Sequence, residues 1–137
     1  MHQNAPITVF IVDDDKVIRL GLRLGLEQWF KVVGEAGDGE TAVLKCLELQ
    51  PEVVLMDVGL PVIDGMEACR RIKIELPTTA IVMVSSHNDP ATISESIRAG
   101  ADHFCVKDID NSQLYEIIRE VAGKNRLSLE YRQSVQG

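Results

Sequence analysis

Three consecutive aspartates, Asp13, Asp14 and Asp15, together with Asp57, are the side chains with the most chemistry to offer. Ser85, Ser86 and Lys107 add hydroxyls and an ammonium further along the chain. Carboxylates brought together repel: two unit charges about 4 Å apart cost ~4 kcal/mol at an effective dielectric near 20. Such a group needs a cation, and an all-oxygen ligand set suits a hard one such as Mg²⁺. Lys107 offsets only one of the charges. Aspartate is also a covalent phosphoryl acceptor. A metal-bound carboxylate beside an ammonium is therefore a place to hold a phosphoryl group. The metal and Lys107 would screen charge on its oxygens, and Ser85 could donate a hydrogen bond to one of them. Asp15 reads differently, because it stands where the N-cap of the following helix belongs.

These residues act together only if the chain folds them to one place. Apolar runs at Thr8–Val12, Val32–Ala36, Val53–Met56, Ala80–Val84 and His103–Val106 have strand length, and most are nearly continuous. That pattern is expected of a parallel sheet covered on both faces. Between them lie stripes at helical spacing: Ile18, Leu22, Leu26 and Trp29; Val43, Cys46 and Leu47; Met66, Cys69, Ile72 and Leu76; and Leu114, Ile117, Ile118 and Val121. The segment Pro90–Ala99 offers only Ile93 and Ile97 to a core, with Asp89 as its N-cap and proline in the first turn. Gly100 and Pro51 fit as helix stops.

Five strand–helix units predict an α/β fold, a five-stranded doubly wound parallel sheet of order 2-1-3-4-5 with five flanking helices. Ligand sites of such sheets lie beyond the carboxyl ends of the strands. Strand one ends there in the three aspartates, strand three in Asp57, strand four in Ser85 and Ser86, and strand five in Lys107 and Asp108. Strand two delivers only Glu35. The expected organisation is an N-terminal extension over residues 1–6, one domain over 7–122, and a polar tail or truncated linker over 123–137, containing Lys124, Arg126 and Arg132.

Composition narrows the function classes. A chain of 137 residues with 45% hydrophobic and 26% charged residues holds one ordinary domain. The formal charge of −7 argues against direct nucleic-acid binding by this chain, which requires a basic face. No run approaches the ~20 apolar residues of a membrane span, and no secretion signal is present, so a cytoplasmic location is expected. Cys46, Cys69 and Cys105 sit inside apolar patterns and read as buried, reduced thiols. His2 and His103 read as surface residues, and His87 as a loop residue near the strand-four end; no histidine pair has ligand spacing.

The segments VFIVDDD, VVLMDVGLPVIDGMEA, IVMVSSHND and GADHFCVKD resemble, in order and spacing, the landmarks of response-regulator receiver domains. The KD form at Lys107–Asp108 resembles the NarL/FixJ-type subfamily, whose full-length members carry a C-terminal helix-turn-helix domain. The resemblance implies phosphorylation at Asp57 and Mg²⁺ held by Asp13, Asp14, Asp57 and the backbone carbonyl of Gly59. It makes Ser85 and Lys107 phosphoryl-stabilising, Ser85 and Phe104 the switch pair, and Gly59 and His87 the positions that tune phosphoryl lifetime. Pro61, Asp64 and Gly65 shape the turn after strand three. Ser85 stands in place of the commoner threonine, and Phe104 lacks the hydroxyl of a tyrosine.

The partners implied are a histidine kinase or phosphotransfer protein as donor, or a small acyl phosphate, with a phosphorylation-dependent homodimer as a further possibility. The output implied is a change in the face formed by helix four, strand five and helix five. It would control transcription through a DNA-binding domain absent from this chain, or bind a partner if the regulator is a stand-alone domain. Such a chain is a regulator, not an enzyme in the ordinary sense. Two other readings share the topology. Asp13-x-Asp15-x-Val17 satisfies the D-x-D-x-[TV] pattern of haloacid-dehalogenase-like phosphatases but leaves Asp57 and its loop unexplained. A flavodoxin-like carrier would set three aspartates against a flavin phosphate.

Overall fold

Strand and helix alternate five times: β1 (Thr8–Val12), α1 (Lys16–Leu26), β2 (Lys31–Ala36), α2 (Gly39–Leu49), β3 (Val53–Asp57), α3 (Gly65–Glu75), β4 (Ala80–Ser85), α4 (Pro90–Arg98), β5 (His103–Val106) and α5 (Asn111–Gln136). The computed structural model describes residues 5–136, so the reading of His2 as a surface residue lies outside the described residues. All four strand pairings are parallel and the order is β2-β1-β3-β4-β5, as the sequence predicts.

Period-two alternation divides each strand between two cores. Phe10, Val12, Val54, Met56, Ile81 and Met83 face α2, α3 and α4, while Val9, Ile11, Val53, Leu55, Val82 and Cys105 face α1 and α5. β3 is buried at all five positions, as its central place requires. The three cysteines are buried and free. Burial pushes the Cys46 thiol up to about 12 and those of Cys69 and Cys105 up to about 11, which keeps them protonated and unreactive.

Four expectations from the sequence need correction. Trp29 does not continue the α1 stripe: the helix ends at Leu26, and Trp29 is 60% exposed while Phe30 fills the core beside it. On α4 the inner positions are Ser96 and Ala99, and Ile97 is 63% exposed. Ser96 tolerates burial because its hydroxyl donates to the Thr92 carbonyl one turn back, at 2.8 Å. His103 is half-buried, its Nδ1 lying 3.1 Å from the Phe104 carbonyl oxygen.

The fourth concerns the segment after Val121, expected as a polar tail or truncated linker: its backbone is helical, the continuation of α5 to Gln136. Polar anchors replace the apolar stripe there. The Asn125 side chain donates to the Thr78 carbonyl at 2.6 Å. Arg126 pairs with both oxygens of Glu52, at 2.7 Å each, and reaches the Ala5 carbonyl at 3.1 Å.

Candidate functional site

Parallel strands and their connecting helices place strand carboxyl ends and helix N-termini at the same edge, and here that edge is lined with aspartate. Asp15, Asp38, Asp64 and Asp89 cap α1 to α4 through backbone N–H groups, and Asp110 accepts the Ser112 N–H just inside α5. Asp15 takes the N–H groups of Val17 and Ile18, at 2.8 and 3.3 Å, which is the cap role its position suggests. Hydrogen bonds from Thr41, Thr92 and Ser112 hold Asp38, Asp89 and Asp110 below the usual carboxylate range.

Inside this ring lie two buried acids. β1 and β3 pair up to Val12 and Met56, so the residues that follow, Asp13 just past β1 and Asp57 at the end of β3, lie side by side. Alternation gives both, and Lys107 after β5, the parity of the α1 and α5 face. Lys107 reaches across β4 to them, its Nζ 3.0 Å from Asp57 Oδ2 and 3.3 Å from Asp13 Oδ2. The second oxygen of Asp57 accepts the Gly59 N–H at 3.1 Å, and Asp13 Oδ1 accepts the Asp15 N–H at 2.9 Å.

The charges are not balanced. Burial raises Asp57 above the ordinary carboxylate value; the Lys107 and Gly59 hydrogen bonds act against it, and the neighbouring Asp13 adds to it. Burial pulls Lys107 down, but its contacts with Asp57 and Asp13 outweigh that and leave it raised. Asp14 is exposed, with no partner for its carboxylate among the described residues. One carboxylate oxygen from each of Asp13, Asp14 and Asp57 lies within 4.8 Å of the others. Three convergent oxygens against a single ammonium fit a hard divalent cation.

The loop after β3 is shaped by close packing. Gly65 donates its N–H to the Val58 carbonyl at 2.8 Å, and a Cβ at Gly65 would stand 2.0 Å from the Asp57 carbonyl oxygen, so only glycine lets α3 start there. Val62 in the same loop adopts φ of 73° and is 74% exposed. Gly59 is exposed beside the acceptor, with open space around its Cα.

Ser85 ends β4, buried, with its hydroxyl accepting the His87 N–H at 3.0 Å. Phe104 pairs with Met83 in register, and Ser85 shares the Met83 face, so Ser85 and Phe104 look toward α3 and α4. Phe104 is half-buried there against the core, and His87 is exposed in the following loop.

Sequence reasoning missed one part of the site. Arg19 of α1 donates from Nη1 to the Asp13 carbonyl at 2.6 Å and from Nε to Glu35 Oε1 at 2.8 Å. Glu35 was visible as the polar group that β2 delivers at its carboxyl end; Arg19 gave no signal, because its target is a backbone oxygen.

A family model for the response regulator receiver domain matches residues 9–119. The chain belongs to the response-regulator receiver family. The transcriptional activator DevR/DosR of Mycobacterium tuberculosis is 35% identical over 124 residues, 88% of this chain and 57% of that protein. The transcriptional regulatory protein DegU of Brevibacillus brevis is 32% identical over 118 residues, 85% of this chain and 50% of that protein. This receiver thus spans about half the length of the curated relatives it matches. Among solved structures, the signal receiver domain of the putative regulator NarL from Mycobacterium tuberculosis aligns with a TM-score of 0.82 at 29% identity. It covers 86% of this chain and 97% of that one. The response regulator domain of Thermotoga maritima CheB aligns at 0.80 and 34% identity, covering 87% and 98%. The relatives are of the NarL/LuxR type, in line with the subfamily resemblance of the sequence. With the family established and Asp15 occupied as a helix cap, the phosphatase reading of Asp13 and Asp15 falls away. No helix among the described residues is long and apolar enough to cross a membrane.

Proposed function

We propose that this receiver accepts a phosphoryl group on Asp57 from the phosphohistidine of a histidine kinase or phosphotransfer protein, or from a small acyl phosphate, with Mg²⁺ bound, in the cytoplasm. The supporting observation is the Asp57 carboxylate at the end of β3, 3.0 Å from Lys107 and beside the acids of β1. One Asp57 oxygen attacks phosphorus as the N–P or acyl O–P bond breaks, and the electron pair of that bond stays with the donor. Water later cleaves the Asp57 phosphoryl bond, releasing inorganic phosphate and restoring the carboxylate. Asp13, Asp14, Asp57 and the Gly59 carbonyl would hold the ion, which supplies charge neutralisation to the transferring oxygens. Lys107, already between Asp13 and Asp57, takes one of those oxygens, and Gly59 and His87 set the access of water.

Phosphorylation adds roughly −1.5 to −2 of charge at this edge. Ser85 then turns its hydroxyl from the His87 N–H toward the phosphoryl group, Phe104 follows on the same face, and the α4, β5 and α5 surface changes. The output is transcription exerted through a DNA-binding region, as the regulators that share this receiver suggest. The alternative is a stand-alone regulator that acts by binding a partner protein, and either form allows a phosphorylation-dependent homodimer. Intact mass after incubation with acetyl phosphate and Mg²⁺ tests the chemistry. A gain of one phosphoryl group, lost in Asp57→Asn and in EDTA, is expected; a gain that persists in Asp57→Asn would place the acceptor elsewhere.

A further inference from the structure

Asp13 is gripped on every side of its peptide. Its N–H donates to the Ala36 carbonyl of β2 at 3.1 Å, one oxygen of its side chain takes the Asp15 N–H, and the other faces Lys107. Its own carbonyl is held by the Arg19 guanidinium at 2.6 Å. That carbonyl belongs to the peptide plane leading into Asp14, whose carboxylate nothing else fixes among the described residues.

Arg19 is itself immobilised. Its Nε bonds Glu35 Oε1 at 2.8 Å, and the other Glu35 oxygen takes Arg23. The Arg19 side chain is 13% exposed, and hydrogen bonds from Arg19, despite burial, hold Glu35 below the usual carboxylate range. The guanidinium fills a notch left by Gly37, where a Cβ would stand 3.1 Å from Arg19 Nη1. A planar fork is the side chain suited to bridging a carboxylate and a carbonyl at a fixed angle. Lysine carries the charge but lacks the planar fork that sets the two contacts at a fixed angle.

We propose that the Arg19–Glu35 pair is a positioning device for the metal site: it orients the Asp13–Asp14 peptide so that both carboxylates face the ion held with Asp57. The inference rests on the reading of Asp13, Asp14 and Asp57 as ligands of a divalent cation. Groups behind metal ligands commonly carry 10–100-fold in affinity. Arg19 acts through the backbone rather than on a ligand oxygen, so the low end, about tenfold, is the expected effect. Arg23 is the internal control, since it shares Glu35 but does not touch Asp13.

The test is an NMR titration of the full chain with Mg²⁺ alone, following the amides of Asp14 and Gly59 and the carbonyl carbon of Asp13, with melting temperature recorded for each variant. Arg19→Gln and Glu35→Gln are expected to weaken Mg²⁺ binding about tenfold and to shift the Asp13 carbonyl resonance in metal-free buffer. Arg23→Gln is expected to stay within about twofold of wild type, though it also loses an ion pair. Arg19→Lys keeps the charge without the fork geometry and should weaken binding too, which preserves the test if Arg19→Gln does not fold. Equal affinity in the Arg19 and Arg23 variants would overturn the positioning role while the wild-type titration still upheld the metal site. No saturable response in wild type would overturn the metal site itself, and the proposal with it.

Discussion

Lys107 and Asp57 lie 50 residues apart in sequence and 3.0 Å apart in space, and the same ammonium sits 3.3 Å from Asp13. One cation thus holds two buried acids that would otherwise face each other. Replacing it with an apolar group of similar length leaves both uncompensated. Lys107→Met is expected to lose about 1–3 kcal/mol of stability in EDTA and to recover part of it in Mg²⁺. Thermal melts with and without the ion check this, and identical melting of variant and wild type in EDTA would contradict it.

The acceptor itself is a source of instability. Burial raises the Asp57 carboxyl above its unfolded value of about 3.9, so ionising it costs more in the folded chain than in the unfolded one. The resulting cost is absent below the unfolded value and grows as pH rises through the folded one. In metal-free buffer Asp57→Asn is therefore expected to melt higher than wild type at pH 7, by ~2–5 °C. The difference should vanish near pH 3.5. An undiminished gain at that pH would point away from ionisation as its cause. The capping acids Asp38, Asp89 and Asp110 have the opposite sign: their stabilisation is present above about 3.9 and lost as pH falls.

Val62 holds φ of 73° in the loop behind the acceptor, a region that a β-branched side chain occupies at a cost. Its side chain is 74% exposed and contributes little packing. Val62→Asn, which tolerates that conformation, is expected to stabilise the fold by about 1 kcal/mol. Chemical denaturation measures it, and a loss of stability would mean that the valine packs against something that matters.

Asn125 and Arg126 hold the end of α5 to the body. Arg126→Ala removes a two-pronged pair with Glu52 and the contact with Ala5. Amide exchange over residues 123–136 is expected to accelerate about tenfold or more, while Leu114 to Val121 stay protected by the core. Uniform exchange across the whole helix in wild type and variant alike would show that these anchors carry no local stability.

Much of this architecture was readable in the chain. Apolar runs located all five strands to within a residue at each end; those of the three central strands are nearly continuous because central parallel strands are apolar on both faces. The topology then carried Asp13, Asp14, Asp57 and Lys107 to one edge without further assumptions. Three features escaped for physical reasons. Trp29 kept helical spacing past the point where the chain turns to bury Phe30. The end of α5 is held by partners 47 and 74 residues away, which no local periodicity encodes. Arg19 works on a carbonyl that every residue type possesses.

Ser96 on α4 has a further consequence. Its buried hydroxyl is satisfied within its own helix, so the helix is tied to the sheet by no bond from that side chain. A roll of about 100° about the axis exchanges Ser96 for Ile97 at the inner surface and strands no hydroxyl. Burying an isoleucine is worth roughly 1.5–3 kcal/mol, which sets an upper limit on what such a roll would recover. The helix end is held near Ala99, whose carbonyl lies 3.5 Å from the Cys69 thiol. What holds α4 to the body is therefore apolar contact and this one thiol–carbonyl contact at its end, and a roll of the helix would break no hydrogen bond between Ser96 and the sheet.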